Sequence, residues 1–360
     1  MKNFILCIVF ALGSSFSHAQ SLSISETSAT QNNGINQYSV AGHQVGISNN
    51  SLSFTNQAVS SHINSLTAIS AALAGSGVTV HAGNGVALYD ALYNLKGNDA
   101  SAKIYAKLNG AFIVRENIAN FLFYDSMGKI KQSVSNSSQS TEGESVSELA
   151  ADPAFKTIVL YNPKIVQDGK EGSRAKIVHK NWTTSNIYFS SERAIRVVKV
   201  SDNGQFIGIV TYRPGTEDQV ILTDRFGNDL VQISFDQSVE DVVISDDGEH
   251  ITLRSNGRVG VYSTTSGERI GSTSFRSRLY FAEYIPEDET LIALTASQAG
   301  SVLEDVELHA INISARSIER NGYNSQLSIT DLLPLDLNRT SSFRYTLSGM
   351  NKTLSLKVQF

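Results

Sequence analysis

From Ala194 to Phe275 the apolar positions fall in short runs of Val, Ile and Leu, and one frame is written twice. The first copy is Val198-Lys199-Val200-Ser201-Asp202-Asn203-Gly204-Gln205-Phe206-Ile207. The second is Val242-Val243-Ile244-Ser245-Asp246-Asp247-Gly248-Glu249-His250-Ile251, with its Ser-Asp-x-Gly turn 44 residues further on. Runs of four to eight apolar and β-branched residues bounded by Asp, Asn and Gly predict strands, and a repeat of this length predicts a β-sheet unit used more than once.

The same reading extends in both directions. Ile104–Leu108, Ala111–Arg115, Phe121–Tyr124 and Ile130–Val134 predict one four-stranded antiparallel unit, with turns at Asn109-Gly110 and Asp125-Ser126-Met127-Gly128. Ser133 to Glu148 is rich in Ser, Gln and Glu and predicts a mobile loop. A second unit begins near Phe155, a third covers Ile195–Phe235 and a fourth Val239–Phe275. The fifth begins at Leu279, with Glu287-Asp288-Glu289 in place of the Ser-Asp-x-Gly turn. The sixth has only three strands, within Leu327–Leu337, Phe343–Leu347 and Leu354–Val358, the last two joined by a Gly349-Met350-Asn351 turn.

Residues 20 to about 95 differ in composition. Glu26 and Asp90 are the only charged residues between Gln20 and Leu95. Ser21–Gln37 reads as a flexible leader and Val40–Phe54 as a hairpin. Val59, Ile63, Leu66, Ile69 and Leu73 fall at helical spacing up to Gly75 and predict one helix, capping the fold or docking on a partner. A chain that ends on a three-stranded sheet has an exposed edge, and an orphan N-terminal strand can cover it. Val40–Phe54 is the segment expected to do so.

Lys2, the apolar run Phe4–Leu12 and Ser17-His18-Ala19 form a secretory signal with cleavage expected before Gln20. The apolar run is too short to span a bilayer. The single cysteine, Cys7, lies inside this segment, so the mature chain is expected to have no disulfide, thiol nucleophile or thiolate metal site. A net charge of −5 argues against nucleic acid or anionic lipid as partner. The reading therefore expects a periplasmic or secreted protein with no membrane span.

The order strand, Ser-Asp-x-Gly, strand, strand, Ser/Thr-x-Gly, strand, best seen in Val198–Ile233 and Val242–Ser272, resembles the β-propeller repeats of the WD-repeat and TolB-like groups. The Trp-Asp dipeptide of the former is absent, with Val261-Tyr262-Ser263 and Leu222-Thr223-Asp224 in its place. The resemblance implies an all-β propeller of six or seven four-stranded blades over residues 78–360. It follows a signal (1–19) and a neutral segment (20–77) that carries the helix and the ring-closing strand. Such folds host enzymes and scaffolds alike, so the likeness supports architecture rather than activity.

No Gly-x-Ser-x-Gly elbow and no His-Glu-x-x-His pair occurs, and the mature histidines (His43, His62, His81, His179, His250, His309) are scattered singly. The turns Asp202-Asn203-Gly204 and Asp246-Asp247-Gly248 lack the spacing of a Ca²⁺ loop and are explained by turn chemistry. Glu304, Asp305 and Glu307, like Glu287-Asp288-Glu289, read as solvated acidic loops. Six Asn-x-Ser/Thr sites (Asn49, Asn136, Asn181, Asn312, Asn338, Asn351) leave glycosylation open. Arg269, Arg276, Arg278 and Tyr280, with Phe281 beside them, are of the types that interfaces favour, and Trp182 is either a binding anchor or a residue packed between blades. The expected function is a non-catalytic binding or assembly scaffold with a protein partner in the cell envelope, without cofactor or metal. The alternative is a propeller enzyme or glycan binder with its site in the central channel, for which Asp241 and Glu283 are the candidate side chains.

Overall fold

The computed structural model describes residues 21–28, 112–124, 130–141, 143–152, 154–299, 302–323, 327–328, 336–348 and 352–360, and the backbone of the strands between Asn36 and Ala106. Among them the strands form seven four-stranded sheets, one five-stranded sheet and a two-stranded hairpin. The seven four-stranded sheets fall within the expected six or seven, and the five-stranded sheet, an ordinary set of four with Leu327–Ser328 added, makes an eighth. In chain order the sheets span 36–60, 70–99, 103–135, 148–190, 194–235, 241–274, 278–322 and 336–359. In the first seven, each strand pairs antiparallel with the next in sequence.

The first strands of successive sheets adjoin: Asn36–Val40 meets Ser70–Ala74, which meets Lys103–Ala106, and Ala194–Val200 stands between Glu148–Ala151 and Asp241–Ile244. The fourth strands, such as Arg269–Ser274 and Ser317–Gly322, lie mostly exposed. A middle strand such as Phe206–Tyr212 is buried along most of its length, because it has a neighbour on both edges and both faces.

Apolar side chains fill the spaces between sheets. Ile113, Phe121 and Phe123 of the third sheet pack on Leu149 and Leu160 of the fourth. Val210, Leu222 and Phe235 of the fifth pack on Val242, Ile251 and Leu253 of the sixth. Ile292, Leu294 and Leu308 of the seventh pack on Tyr345, Leu354 and Leu356 of the eighth.

The eighth sheet is ordered Ser21–Ser28, Lys352–Gln359, Arg344–Ser348, Asp336–Ser341, so the N-terminal strand completes it from the outside. The register runs without a break from Ser21 opposite Gln359 to Ser28 opposite Lys352. This corrects the expectation for Val40–Phe54, which lies instead in the first sheet, and the reading of Ser21–Ser28 as a flexible leader. The alternation Ser-Leu-Ser-Ile-Ser is itself a half-buried strand pattern: Leu22 is buried in the seventh–eighth interface and Ile24 packs against it.

Three further expectations change. Val59 and Leu73 lie in the strands Gln57–Ser60 and Ser70–Ala74 rather than in a helix; residues 61–69 lie outside the described residues. Apolar spacing alone does not separate a helix from two short strands. The Ser-rich segment before Glu148 is ordered. It carries a hairpin, Gln139–Ser140 with Gly143–Glu144, and buries Asn136, Ser145 and Ser147. Asn136 Nδ2 donates to Ser147 Oγ (2.7 Å) and to Asn162 Oδ1 (2.9 Å), so hydrogen bonds hold what apolar contacts do not. The fourth sheet accordingly starts at Glu148, not near Phe155. The signal segment and the turns at Asn49-Asn50, Gly83-Asn84, Asn109-Gly110, Asp125–Gly128 and Gly349–Asn351 lie outside the described residues.

The repeated turns explain their own sequence. Gly204 and Gly248 take φ of +72° and +73°, which side-chain-bearing residues rarely adopt. Ser201 Oγ accepts from Phe206 N (3.0 Å) and Ser245 Oγ from His250 N (2.9 Å), closing the two turns alike. Asn203 then donates to the Asp246 carbonyl, and Thr157 Oγ1 donates to the Gly204 carbonyl (2.6 Å), so the turns of three successive sheets are chained.

Substituting Leu22→Ala is expected to lower stability by about 3 kcal/mol, and Ser23→Ala by less than about 0.5 kcal/mol, in chemical denaturation. The contrast follows because only Leu22 enters the core while Ser23 is exposed.

Candidate interaction surface

Because strands alternate in direction, the connections between sheets and the second-to-third hairpins share one end of the wheel. The first-to-second turns and third-to-fourth turns share the other. Arg276 lies in the link between the sixth and seventh sheets, and Arg278 and Tyr280 begin the strand Arg278–Ile285. These three stand together at the first end. Arg269 opens the strand Arg269–Ser274, and Trp182 sits in the turn before Thr184–Ser190, so both lie at the opposite end. The five residues nominated by sequence therefore divide into three and two.

Arg278 is exposed and its guanidinium lies 5.4 Å from the centre of the Tyr280 ring, a cation–π arrangement. Tyr280 Oη donates to Gln298 Oε1 (3.0 Å), on the hairpin that joins Thr290–Ala299 to Val302–Asn312. Arg276 is exposed beside them. Beneath this group Arg254 lies 3.5 Å from both Glu240 and Asp241, and its Nη1 donates to the Leu279 carbonyl (2.9 Å). Lys199 pairs with Asp241 at 2.9 Å, and Arg278 reaches Glu240 at 3.9 Å. A row of alternating charge thus crosses three sheets and fixes the start of the strand that presents Arg278 and Tyr280. Asp241, nominated for a channel site, is held by two cations, and Glu283 is not without a partner.

Trp182 has φ +66° and its ring meets Phe123 edge-on, centroids 4.9 Å apart, in the cluster between the third and fourth sheets. The hairpin geometry turns the side chain back onto the neighbouring sheet. Phe226, missed by the sequence reading, is the most exposed large apolar side chain described, at 69%, with Arg225 stacked 4.8 Å above its ring. A phenylalanine between Arg225 and Gly227 in a turn was the available signal.

One cluster looks like chemistry and is structural. Asp288, read as solvated, is buried at the short turn Pro286–Asp288. It accepts from Arg339 Nε and Nη2 (2.9 Å each), Tyr345 Oη (2.9 Å), Phe343 N (3.0 Å) and Ser342 Oγ (3.2 Å). The Arg339 fork holds its carboxyl down at about 2, while burial pushes the Tyr345 hydroxyl up. All its partners belong to the eighth sheet, so the cluster locks that sheet to the seventh. Glu304, Asp305 and Glu307 lie in the strand Val302–Asn312 rather than a loop, and Asp305 sits at φ +50°.

Asp247, Glu249 and His250 bring ligand atoms within 4.8 Å of one another. Asp247 is already engaged, accepting from Ser245 Oγ (2.6 Å) and Glu249 N (2.8 Å), and His250 packs on Tyr284 with centroids 5.3 Å apart. His309 is buried against Thr295 Oγ1 (2.8 Å), which lowers its pKa through desolvation. Of the glycosylation motifs, Asn136 is buried and cannot take a glycan in the folded chain.

Asp288→Asn is expected to lower stability by about 3 kcal/mol. The acid's pKa lies at about 2 in the fold against an ordinary 3.8, so its contribution is complete above about pH 4 and is lost as pH falls through 2. Denaturation at pH 6 and pH 2 should show the difference between wild type and variant shrinking by about 2 kcal/mol at the lower pH.

No protein-family model and no curated protein matches the sequence. Among solved structures the chain is similar to one described as the structure of a Dos1 propeller, with 10% identity over 80% of this chain and 78% of that one at a TM-score of 0.54. A chain of a mitotic checkpoint complex matches at 10% identity over 83% of this chain and 89% of that one, at a TM-score of 0.49. Together with the succession of four-stranded antiparallel sheets closed by the N-terminal strand, the first likeness identifies the fold: the chain is a β-propeller.

Proposed function

We propose that the protein is a non-catalytic binding scaffold that works outside the cytoplasm and engages a protein partner through the loop end carrying Arg276, Arg278 and Tyr280. The observation that carries the reading is the Arg278–Tyr280 stack, held from below by the Arg254 ion pairs, with Arg276 exposed alongside. Arginine and tyrosine presented on a rigid strand end lose little entropy on docking, which is why both recur as anchors in interfaces. The charged groups nearest the first strands are consumed in ion pairs, which favours a scaffold over a site in the channel.

Export is supported by the apolar segment Phe4–Leu12 and the small residues before Gln20. Cleavage there leaves the closing strand Ser21–Ser28 whole. Among the described residues no helix is long and apolar enough to cross a membrane.

The test is crosslinking capture from the native envelope with wild type and with Arg276→Ala/Arg278→Ala/Tyr280→Ala. Partners recovered by wild type should fall at least tenfold with the triple variant at unchanged melting temperature. Equal recovery of every partner by both proteins would place the interface elsewhere, and sequencing of an intact amino terminus at Met1 would remove the export claim.

A further inference from the structure

The eighth sheet has one apolar face and one polar face. Its core face carries Leu22, Leu337, Tyr345, Leu347, Leu354, Leu356 and Val358. On the other face the register aligns Ser23 with Lys357 and Lys357 with Arg344. The next row is Ser25, Ser355, Thr346 and Asn338. Every position on this face is polar. By contrast, the fifth sheet packs Ile207 and Ile209 against the fourth sheet and Val210, Val220 and Leu222 against the sixth. A sheet sandwiched in a propeller needs two apolar faces; this one has not been given the second.

On the polar face Arg344 and Lys357 stand directly opposite each other on neighbouring strands. Both are exposed, and neither has an ion-pair partner among the described residues. Like charges at directly opposed positions are destabilising unless a counter-charge lies between them. No acid stands in this row or the next one. Around the two cations is a groove of about 450 Å³ in which the hydroxyls of Ser23, Ser25, Thr340, Thr346 and Ser355 stand beside Ile24, Tyr345 and Leu356. Ser23, Thr340 and Thr346 donate to the Lys357, Arg344 and Asn338 carbonyls (3.4, 3.1 and 3.5 Å), and Ser355 stands in the row next to the cations. Two cations with a hydroxyl donor beside them match a compact anion that accepts several hydrogen bonds at once.

We propose that this groove is a binding site for a tetrahedral oxyanion, a phosphate or sulfate group, held between Arg344 and Lys357 with Ser355 as a hydroxyl donor. A bound anion removes the repulsion between the cations and bridges two strands of the sheet that the N-terminus completes. The site is separate from the loop end proposed above for the protein partner.

Calorimetric titration of the mature chain with sodium phosphate and sodium sulfate, against chloride at matched ionic strength, tests this directly. Saturable binding is expected, weakened at least tenfold by Arg344→Gln and by Lys357→Gln and largely kept by Arg344→Lys. In chloride the Gln variants should melt at or above the wild-type temperature, because a like-charge pair has been relieved; this also shows that they fold. A sugar sulfate or sugar phosphate that binds more tightly than the inorganic ion assigns the group to an esterified ligand, and equal affinity assigns it to the free ion. Absence of saturable binding, or binding that both Gln variants retain undiminished, would overturn the proposal.

Discussion

The antiparallel pairing of Ser21–Ser28 with Lys352–Gln359 is the contact on which the rest of the wheel depends. Without it the last sheet has three strands and presents the unpaired edge of Lys352–Gln359, with Leu354, Leu356 and Val358 behind it. Open edges invite pairing with other chains. The pairing also joins residues more than three hundred positions apart, so the circle closes by hydrogen bonds rather than covalently. With Cys7 as its single cysteine, the chain can form no intramolecular disulfide to staple the circle.

Closure is reinforced on the core side and relaxed on the other. The Asp288–Arg339 fork, with Tyr345 and Phe343 as further donors, ties the eighth sheet to the seventh through a buried carboxylate. Removing the half-exposed Arg339 would leave the buried Asp288 carboxylate without its counter-charge. The opposite face of the same sheet carries serines, threonines, Arg344 and Lys357. The two faces differ in kind: one packs apolar side chains against the seventh sheet, and the other carries polar ones. The loop end with Arg278 and Tyr280 is built by comparable means, since a strand fixed by Arg254 presents side chains that need not hold the fold themselves.

Much of the architecture was legible because turn chemistry is local. Gly204 and Gly248 need positive φ, Ser201 and Ser245 close the turns, and those demands are written in four consecutive residues. Of the six units read from Ile104 onward, only Ile195–Phe235 and Val239–Phe275 carry this turn; the others were read from apolar runs, and the start of the second was placed too late. The N-terminal sheets were harder: short strands rich in Ser, Gln and Ala carry a weak period-two signal, and Val59 and Leu73 happen to share a helical spacing. Ser21–Ser28 was hidden by its serines, although Leu22 and Ile24 mark its buried face. The site was half legible. Residue types pointed to Arg276, Arg278 and Tyr280, but nearness in sequence also drew in Arg269, which a strand of six residues carries to the other end of the wheel. The role of Asp288 depends on Arg339 and Tyr345, which lie more than fifty positions away, and no local pattern announces such a contact.

A disulfide engineered across the closing pair tests the account most directly. Ser25 and Ser355 are register partners on the polar face, and Cys7, the single cysteine of the sequence, is replaced by serine in the tested protein. The account predicts that Ser25→Cys/Ser355→Cys forms an intramolecular disulfide quantitatively on mild oxidation, migrates as a compact monomer and resists unfolding more than its reduced form. Two thiols that stay free to alkylation in the folded monomer under the same conditions would contradict it.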